Sequence, residues 1–356
     1  MKQLRIVTGP TSEDLEKSVS SEYKPTVIGL FAGCGGMDYG FKLAGFNIVY
    51  ANDFEKNVKQ TYEKNVGPIH IEDICSVDKK QLPDCDVLVA GIPCQPFSNA
   101  GNRLSTEDER GNLFTQVMEV LKLKKPKVVV FENVKGFLSA KDGDGRLMPD
   151  RIRLELKKRG YETYFELMNA SDYGVPQNRQ RVIILGIRND IKTNFEFPPP
   201  LHKSRKLTVG AVLKKPLPKN EPQEVWDLSP QSQDIIKFIP EGGSWKDVPY
   251  EFLPLRMKKI RDDMKKYKSP NFYRRFSKDE IMGTVTAAGT PENSGILHPT
   301  EPRRYSVREI ARFQSFPDSF KFVGVPVSAK YKMIGNAVPV QLAYWIALSI
   351  KHHIFT

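Results

Sequence analysis

Short apolar runs rich in β-branched residues alternate with amphipathic segments along the first half of the chain. Continuous apolar runs predict buried strands, and apolar positions with a period of about 3.6 residues predict helices. The predicted strands are Thr26–Phe31, Asn47–Ala51, Asp86–Ala90, Lys127–Phe131, Tyr161–Leu167 and Arg181–Ile187. The predicted helices are Met37–Ala44, Phe54–Asn65, Leu113–Lys122 and Arg151–Arg159. Strands that alternate with helices predict an α/β protein with a doubly wound, mostly parallel sheet.

This alternation stops after Asn189. Residues 191–280 contain 11 of the 26 prolines and carry a net charge of +7. Regular patterning returns near Ser306, with predicted helices at Val307–Gln314 and Pro339–Lys351. The composition therefore predicts a separate, irregular and basic domain between two regular parts of the chain, and residues 1–25 read as an N-terminal extension.

The overall composition excludes some classes of protein. The chain has 356 residues, of which 40% are hydrophobic and 27% charged, and these fractions are not those of a disordered protein. It lacks both a signal-peptide pattern and a run of about 18 apolar residues, so we expect a cytoplasmic protein that does not span a membrane. The four cysteines lack zinc-ligand spacing, so we expect no metal. The net charge of +12 fits a polyanionic partner without identifying one.

A glycine-rich turn, Phe31–Gly36, joins the first predicted strand to the first predicted helix. Glycines let the backbone approach a ligand closely, and a helix N-terminus favours negative charge. Asp53 follows Gly33 by 20 residues and ends the second strand, where a carboxylate can accept the two hydroxyls of a ribose. The pattern favours an adenosine-type ligand over a purely structural turn, but it does not distinguish NAD from S-adenosylmethionine.

Three further sites follow or precede strands of the same sheet. Cys94, held between two prolines, is either a nucleophile or an inert loop thiol. Glu132 is either an exposed loop residue, a general acid, or a hydrogen-bond partner for a substrate ring nitrogen and amino group. Arg179 and Arg181 share one face of a strand, as either an anion clamp or a solvated strand end.

Residues 255–278 form a strongly basic window. They contain ten Lys or Arg against Asp262 and Asp263, with four aromatic residues interleaved. Such a window can neutralise phosphates while its aromatics stack on bases or pack on the chain's own core. The alternative is a solvated basic helix.

Six segments in this order resemble the DNA (cytosine-5)-methyltransferases of bacterial restriction–modification systems. The similarity covers Val27–Leu185 and Gly283–Ala347, about two thirds of the chain. The segments are FAGCGG, GIPCQPFS, FENVKG, QNRQR, SVREIARFQSFPDSF and IGNAVPVQLA. A Pro-Cys loop alone is common, whereas six ordered segments at the family's spacing are specific.

The resemblance implies a covalent mechanism on cytosine. Cys94 is similar to the nucleophile that adds to C6, which activates C5 to accept the methyl group of S-adenosylmethionine. Glu132 is similar to the carboxyl that holds N3 and the exocyclic amine. Arg179 and Arg181 resemble the pair that orients the base, a neighbouring phosphate and Glu132. Loss of the C5 proton and β-elimination then release Cys94, and the base must be flipped out of the duplex.

The resemblance also implies positions for cofactor and DNA. The implied cofactor contacts are Phe31, Gly33, Gly35, Gly36, Asp53, Asp73, Ile74, Gly91, Pro93, Leu113, Asn336 and Val338. The implied DNA contacts are Ser98 in a closing loop, Gln95–Gly111, together with Arg179, Thr284 and Val285. Four domains follow: an extension at 1–25, a catalytic domain at 26–190, a target-recognition domain at 191–302, and a segment at 303–356 that completes the catalytic domain.

The expected partners are double-stranded DNA and a companion restriction endonuclease, and the expected state is a monomer. A tRNA cytosine-5 methyltransferase of the same architecture is the first alternative, and methylation of tRNA but not of duplex DNA would favour it. A NAD-dependent oxidoreductase would not need Cys94. A catalytically silent DNA-binding module would have no use for the complete set of Cys94, Glu132, Arg179 and Arg181. The target sequence and the role of residues 1–25 stay unassigned.

Overall fold

The computed structural model describes residues 15–16, 22–92, 109–202, 206–219, 221–263, 271–292 and 294–356. The predictions for Pro93, Cys94 and Ser98 lie outside the described residues. The chain forms two compact units: the first comprises the described residues up to Asn169 with Gln180–Leu201 and Leu342–Thr356, and the second comprises Ala170–Arg179 and His202–Gln341. Much of the segment 303–356 therefore belongs to the second unit, while the functional roles of the four sequence domains stay predictions.

The first unit contains a seven-stranded sheet with the order β3-β2-β1-β4-β5-β7-β6. The strands are β1 (Thr26–Leu30), β2 (Asn47–Asp53), β3 (His70–Ile71), β4 (Val87–Ala90), β5 (Val128–Val134), β6 (Tyr161–Asn169) and β7 (Gln180–Arg188). The first five strands pair in parallel, and β7 is antiparallel to both β5 and β6. The structure confirms the doubly wound, mostly parallel sheet.

Helices cover this sheet and explain why its central strands are continuously apolar. They are α1 (Gly36–Leu43), α2 (Lys59–Asn65), α3 (Glu109–Lys124) and α4 (Met148–Lys158), with a 3-10 turn at Lys56–Val58. Strands β4 and β5 pack against Met118 and Leu121 of α3 and against Ile152 and Leu156 of α4. These helices cover the face that carries Leu88, Ala90, Val129 and Phe131. The alternating side chains of Val87, Val89, Val128 and Val130 are buried as well, so successive positions of both strands are apolar, as in the sequence.

The second unit has mostly irregular backbone around short helices. These are α5 (Val209–Leu213), α6 (Pro230–Ile236), α7 (Leu255–Asp262), α8 (Val307–Phe313) and α9 (Val327–Asn336). Helix α8 begins at a capping box in which Ser306 and Glu309 each bond the other's backbone N–H. The predicted helix at Val307–Gln314 is therefore confirmed, whereas α9 was not predicted.

Helix α10 (Val340–Ile354) closes the chain. Within the described ranges, one helical stretch, Val327–Ile354, is long and apolar enough to cross a membrane, but 83% of its most apolar part is buried inside the protein. Such burial is typical of a core helix.

Candidate active site

The glycine turn after β1 is held in a left-handed backbone conformation. Phe31, Gly33 and Gly35 have φ angles of 56°, 55° and 93°. A Cβ atom on Gly35 would lie 2.7 Å from Cγ2 of Val66, so only glycine fits there without displacement. Gly36 then begins α1, whose first N–H groups lack a side-chain cap. The turn therefore presents main-chain donors without side chains in front of them.

Asp53 at the end of β2 shapes this turn. Its Oδ2 accepts the Gly33 N–H at 2.7 Å, and its Oδ1 accepts the Glu55 N–H at 2.8 Å. Burial raises the pKa of Asp53, and these N–H bonds oppose that rise. Each carboxylate oxygen can accept about two hydrogen bonds. The same carboxylate that fixes the turn can therefore also accept ribose hydroxyls.

Asp73 and Phe54 stand beside Asp53 at the ends of the neighbouring strands. The N–H of Glu72 bonds the Asp53 carbonyl at 3.1 Å, which ties the end of β3 to the end of β2. Asp73 accepts the N–H of Cys75 at 2.9 Å and stays exposed, whereas Ile74 is buried. Phe54 is 75% exposed, so its ring offers an apolar face to a planar ligand. We did not predict Phe54, although an aromatic residue directly after a strand-end acid is a visible signal.

Gly91 and Ile92 lead out of β4 toward the Pro-Cys segment. The Gly91 N–H bonds the Leu30 carbonyl at 3.4 Å, and a Cβ on Gly91 would lie 3.7 Å from the Phe31 carbonyl oxygen. Asn133, which is buried, donates from Nδ2 to the Ile92 carbonyl at 3.3 Å. Leu113 packs against the core beneath these residues. The backbone directly before Pro93 is therefore fixed to both β1 and β5.

Glu132 and Arg181 form an ion pair on one face of the sheet. The Arg181 Nε and the Glu132 Oε1 are 2.6 Å apart, and the two side chains are 10% and 12% exposed. Arg181 lies directly opposite Val134 in the β5–β7 register, so it meets Glu132 along the diagonal. The structure thus confirms that the two side chains are neighbours, and the guanidinium fixes the direction of the carboxylate.

Arg179 has different partners from Arg181. Its side chain is 2% exposed, and its guanidinium donates to the carbonyls of Val285 at 2.7 Å and Gly335 at 3.0 Å. These acceptors belong to the second unit, whereas Arg181 pairs with Glu132, so the structure places the two guanidinium groups on different partners. Their joint role as an anion clamp stays a prediction. Thr284 lies beside this site and donates from Oγ1 to the Asn178 carbonyl at 2.8 Å. Asn336, exposed at the end of α9, and the buried Val338 follow Gly335 directly.

Much of the basic window at 255–278 is committed to internal contacts. Arg275 is buried and donates to the carbonyls of Ile236, His298, Pro299 and Glu301. Phe272 and Tyr273 lie in the core of the second unit. The structure therefore favours packing on the chain's own core for these two rings. Lys258 and Lys259 lie on α7, whereas Lys265 and Lys266 fall outside the described residues.

Cys34 and Cys85 do not offer a reactive thiolate. Burial raises the pKa of Cys34 to about 12 and that of Cys85 to about 12. Thiols with such pKa values stay protonated at neutral pH and are poor nucleophiles. Among the described residues, no group of three His, Cys, Asp or Glu side chains could hold a metal ion.

Comparison with known proteins gives consistent matches over nearly the whole chain. The family model of the C-5 cytosine-specific DNA methylases matches residues 25–352. The type II methyltransferase M.NgoFVII of Neisseria gonorrhoeae is 36% identical over 350 residues, which cover 95% of this chain and 90% of that protein. M.Eco47II of Escherichia coli is 37% identical over 347 residues, covering 92% of this chain and 79% of that protein.

Solved structures support the fold. The Entamoeba histolytica methyltransferase EhMeth superposes with a TM-score of 0.65 at 20% identity, covering 92% of this chain and 98% of that one. The Schizosaccharomyces pombe methyltransferase Dnmt2 superposes with a TM-score of 0.58 at 22% identity, with the same coverage. At these identities the likeness concerns the fold alone.

Proposed function

The chain belongs to the C-5 cytosine-specific DNA methylases and is a DNA cytosine-5 methyltransferase of the bacterial type II kind, and from this premise we propose its cofactor, its catalytic residues and its partners. The cofactor is S-adenosylmethionine. The catalytic residues are Cys94, Glu132 and Arg181. The observation that carries the catalytic assignment is the 2.6 Å ion pair between Glu132 and Arg181 at the edge of the sheet from which the Pro-Cys segment emerges.

The residues of the glycine turn fit S-adenosylmethionine. Asp53 would accept hydrogen bonds from the ribose hydroxyls, and the exposed ring of Phe54 would stack on the adenine. Asp73 would accept a hydrogen bond from the adenine amino group. Gly33 would leave room for close approach of the ligand, because a Cβ atom at this position would stand in open space. Gly35, Gly36 and Gly91 are proposed to contact the ligand through their main chain. When bound, S-adenosylmethionine supplies an electrophilic methyl group on its sulfonium. Phe31, Ile74, Pro93, Leu113, Asn336 and Val338 complete the proposed cofactor set.

Glu132 and Arg181 activate the cytosine ring. Arg181 holds Oε1 of Glu132, so the carboxyl group keeps one orientation toward N3 and the exocyclic amine of a flipped base. Cys94 would add to C6 through its thiolate, and the electron pair of the ring would move to C5. C5 would then take the methyl group of the bound cofactor, and S-adenosylhomocysteine would be left. A base then removes the C5 proton, and the C6–S bond breaks to return the thiolate. Pre-orientation of Glu132 lowers the barrier because no side chain must reorganise during attack.

The proposed substrate is a cytosine within a specific sequence of double-stranded DNA, flipped out of the helix. Ser98, Thr284 and Val285 are proposed DNA contacts, and the second unit is proposed to read the sequence. The protein acts as a monomer in the cytoplasm beside a restriction endonuclease of the same specificity, whose cuts the methylation prevents.

Bisulfite sequencing of DNA from expressing cells tests this function. We expect protected cytosines in one recurring sequence context, and no protection from the variant Cys94→Ser. The matched control is Cys85→Ser, which should retain activity because Cys85 precedes β4, at the other end of that strand from Gly91 and the Pro-Cys segment. Protection by Cys94→Ser would contradict the nucleophile assignment. Methylation of tRNA without methylation of duplex DNA would support the tRNA alternative instead.

A further inference from the structure

Three polar side chains form a fully buried cluster in the second unit. Gln177 and Gln314 are 0% exposed and Arg179 is 2% exposed. Burying an amide or a guanidinium is costly unless its hydrogen-bonding groups are paired. Gln177 and Gln314 bond each other from Nε2 to Oε1 at 3.0 Å. The partners of the cluster therefore show what it holds in place.

One side of the cluster holds the main chain of Val285. The Val285 N–H donates to Oε1 of Gln177 at 2.9 Å, and its carbonyl accepts from Arg179 at 2.7 Å. The neighbouring Thr284 donates to the Asn178 carbonyl at 2.8 Å. The dipeptide that we propose to face DNA is thus held by residues 177–179 through the Thr284 hydroxyl and the main chain of Val285.

The other side of the cluster holds the end of α9. Gln314 donates from Nε2 to the carbonyls of Ile334 at 2.7 Å and Ala337 at 3.3 Å, and Arg179 donates to the Gly335 carbonyl at 3.0 Å. The last carbonyls of a helix lack intrahelical partners, and a cation there also interacts favourably with the helix dipole. These bonds fix the turn that presents Asn336 and Val338, our proposed cofactor contacts.

The two sides also touch directly at Gly335. A Cβ atom on Gly335 would lie 2.3 Å from the carbonyl oxygen of Thr286, so two backbones meet there without an intervening side chain. Arg179 spans this contact, with one Nη on Val285 and the other on Gly335. A displacement of the Val285 segment or of the Gly335 segment would therefore stretch a hydrogen bond from Arg179.

We propose that Arg179, supported by Gln177 and Gln314, is a positioning residue that couples DNA binding to cofactor binding. This inference rests on the proposed function, because it takes Thr284–Val285 to face DNA and Asn336 to face S-adenosylmethionine. In this proposal Arg179 acts through the carbonyls of Val285 and Gly335. Binding of either ligand would shift the segment that contacts it, and the guanidinium would transmit this shift to the segment that contacts the other ligand.

The test is binding of S-adenosylmethionine, without DNA, to Arg179→Met and Arg179→Lys by calorimetry. We expect Arg179→Met to weaken binding about tenfold, with a smaller loss in Arg179→Lys, which keeps one donor to the carbonyls. The DNA affinity should fall while its salt dependence stays that of the wild type, because the variants neutralise the same phosphates. The matched control, Arg188→Met on the half-exposed end of β7, should change neither.

Other outcomes would overturn the coupling role. An unchanged cofactor affinity together with a salt slope reduced by about 0.9 would show that Arg179 binds a phosphate instead. If Arg179→Met does not fold, Gln314→Met supplies the same test at the helix end, and its unchanged cofactor affinity would also overturn the proposal. Wild-type protein that fails to bind S-adenosylmethionine would contradict the proposed cofactor, which is a separate failure.

Discussion

Gly33 and Gly35 allow stability and cofactor binding to be separated in one turn. Both have positive φ, but a Cβ on Gly33 would meet no atom within 4 Å, whereas a Cβ on Gly35 would meet Val66 at 2.7 Å and the Tyr62 ring at 3.0 Å. The Gly33→Ala methyl therefore points into open space, and the Gly35→Ala methyl points into the core. We expect the first variant to lose mainly cofactor affinity and the second mainly stability.

The magnitudes follow from the backbone and from packing. An L-residue in the left-handed region costs about 1–2 kcal/mol, and alanine regains about 0.4–1 kcal/mol by restricting the unfolded chain. Gly33→Ala should thus cost about 1 kcal/mol. Gly35→Ala adds overpacking of about 1–3 kcal/mol, for a total of about 2–4 kcal/mol. In a unit of about 150–250 residues, each kcal/mol lowers Tm by about 2–4 °C.

The assay combines thermal melting with calorimetric titration of S-adenosylmethionine. A methyl that a bound ligand must avoid costs about 1–3 kcal/mol, so Gly33→Ala should bind about 5- to 150-fold more weakly. Gly145→Ala is the matched control, because Gly145 has φ 79° and open space but lies in the Asp142–Arg146 turn. It should lose about 1 kcal/mol of stability and no affinity. Wild-type affinity in Gly33→Ala, or equal melting of Gly35→Ala and Gly145→Ala, would refute the reasoning.

Three further predictions concern catalysis, DNA binding and pH. Glu132→Gln removes the ion pair with Arg181, so single-turnover methylation should slow about 10²- to 10⁴-fold. The affinity for the cofactor should stay near normal, and a large loss of that affinity would indicate a structural role for Glu132. Changing Lys258, Lys259, Lys265 and Lys266 to Gln should weaken DNA binding. The slope of log affinity against log salt concentration should become shallower by about 0.9 for each phosphate that is no longer neutralised. Changing the exposed Lys122 and Lys157 should leave the slope as it is, and an unchanged slope in the first variant would place this window away from DNA. Burial raises the pKa of Asp38 to about 6, although Tyr62 donates a hydrogen bond to it at 2.6 Å. The folded state therefore binds the Asp38 proton more tightly than the unfolded state does. Protonation of Asp38 stabilises the fold fully below about pH 4, and this contribution is lost as the pH rises to about 6. Asp38→Asn should remove this component from the stability profile measured by urea unfolding, and an identical profile would show that Asp38 does not titrate in this range.

The parts of the fold that the sequence predicts well are those set by local pattern. The strand before the glycine turn, the strand that ends at Asp53 and the helix after Ser306 each depend on neighbouring residues. Helix ends and turns of this kind carry their own signals in residue type. These elements fall close to their predicted places for that reason.

The direction of β7 did not follow from the predicted strand ends. The predicted strands Tyr161–Leu167 and Arg181–Ile187 leave residues 168–180 between them, which is long enough for the crossover that a parallel pair needs. In the structure both strands are longer, and only the ten residues Ala170–Arg179 connect them, so the pair is antiparallel. The antiparallel pairing of β7 with β5 matters for the proposed function because it brings Arg181 alongside Glu132.

The partners of Arg179 could not be predicted in the same way. Its two acceptors lie 106 and 156 residues away in the chain. An arginine that bonds backbone carbonyls has the same sequence signature as one that binds a phosphate. Phe272 and Tyr273 raise the same difficulty, since only the folded core distinguishes a packed ring from one that stacks on a base.

The docking of Val285 through main-chain atoms has a consequence for chimeric enzymes. Gln177 and Arg179 bond its N–H and carbonyl, and every residue other than proline supplies both groups. The side chains of the proposed recognition region can therefore differ between relatives without breaking these hydrogen bonds. A graft that exchanges specificity should keep the chain spacing around position 285 and should carry Ala170–Arg179 with it, because this loop and the region it holds form one module.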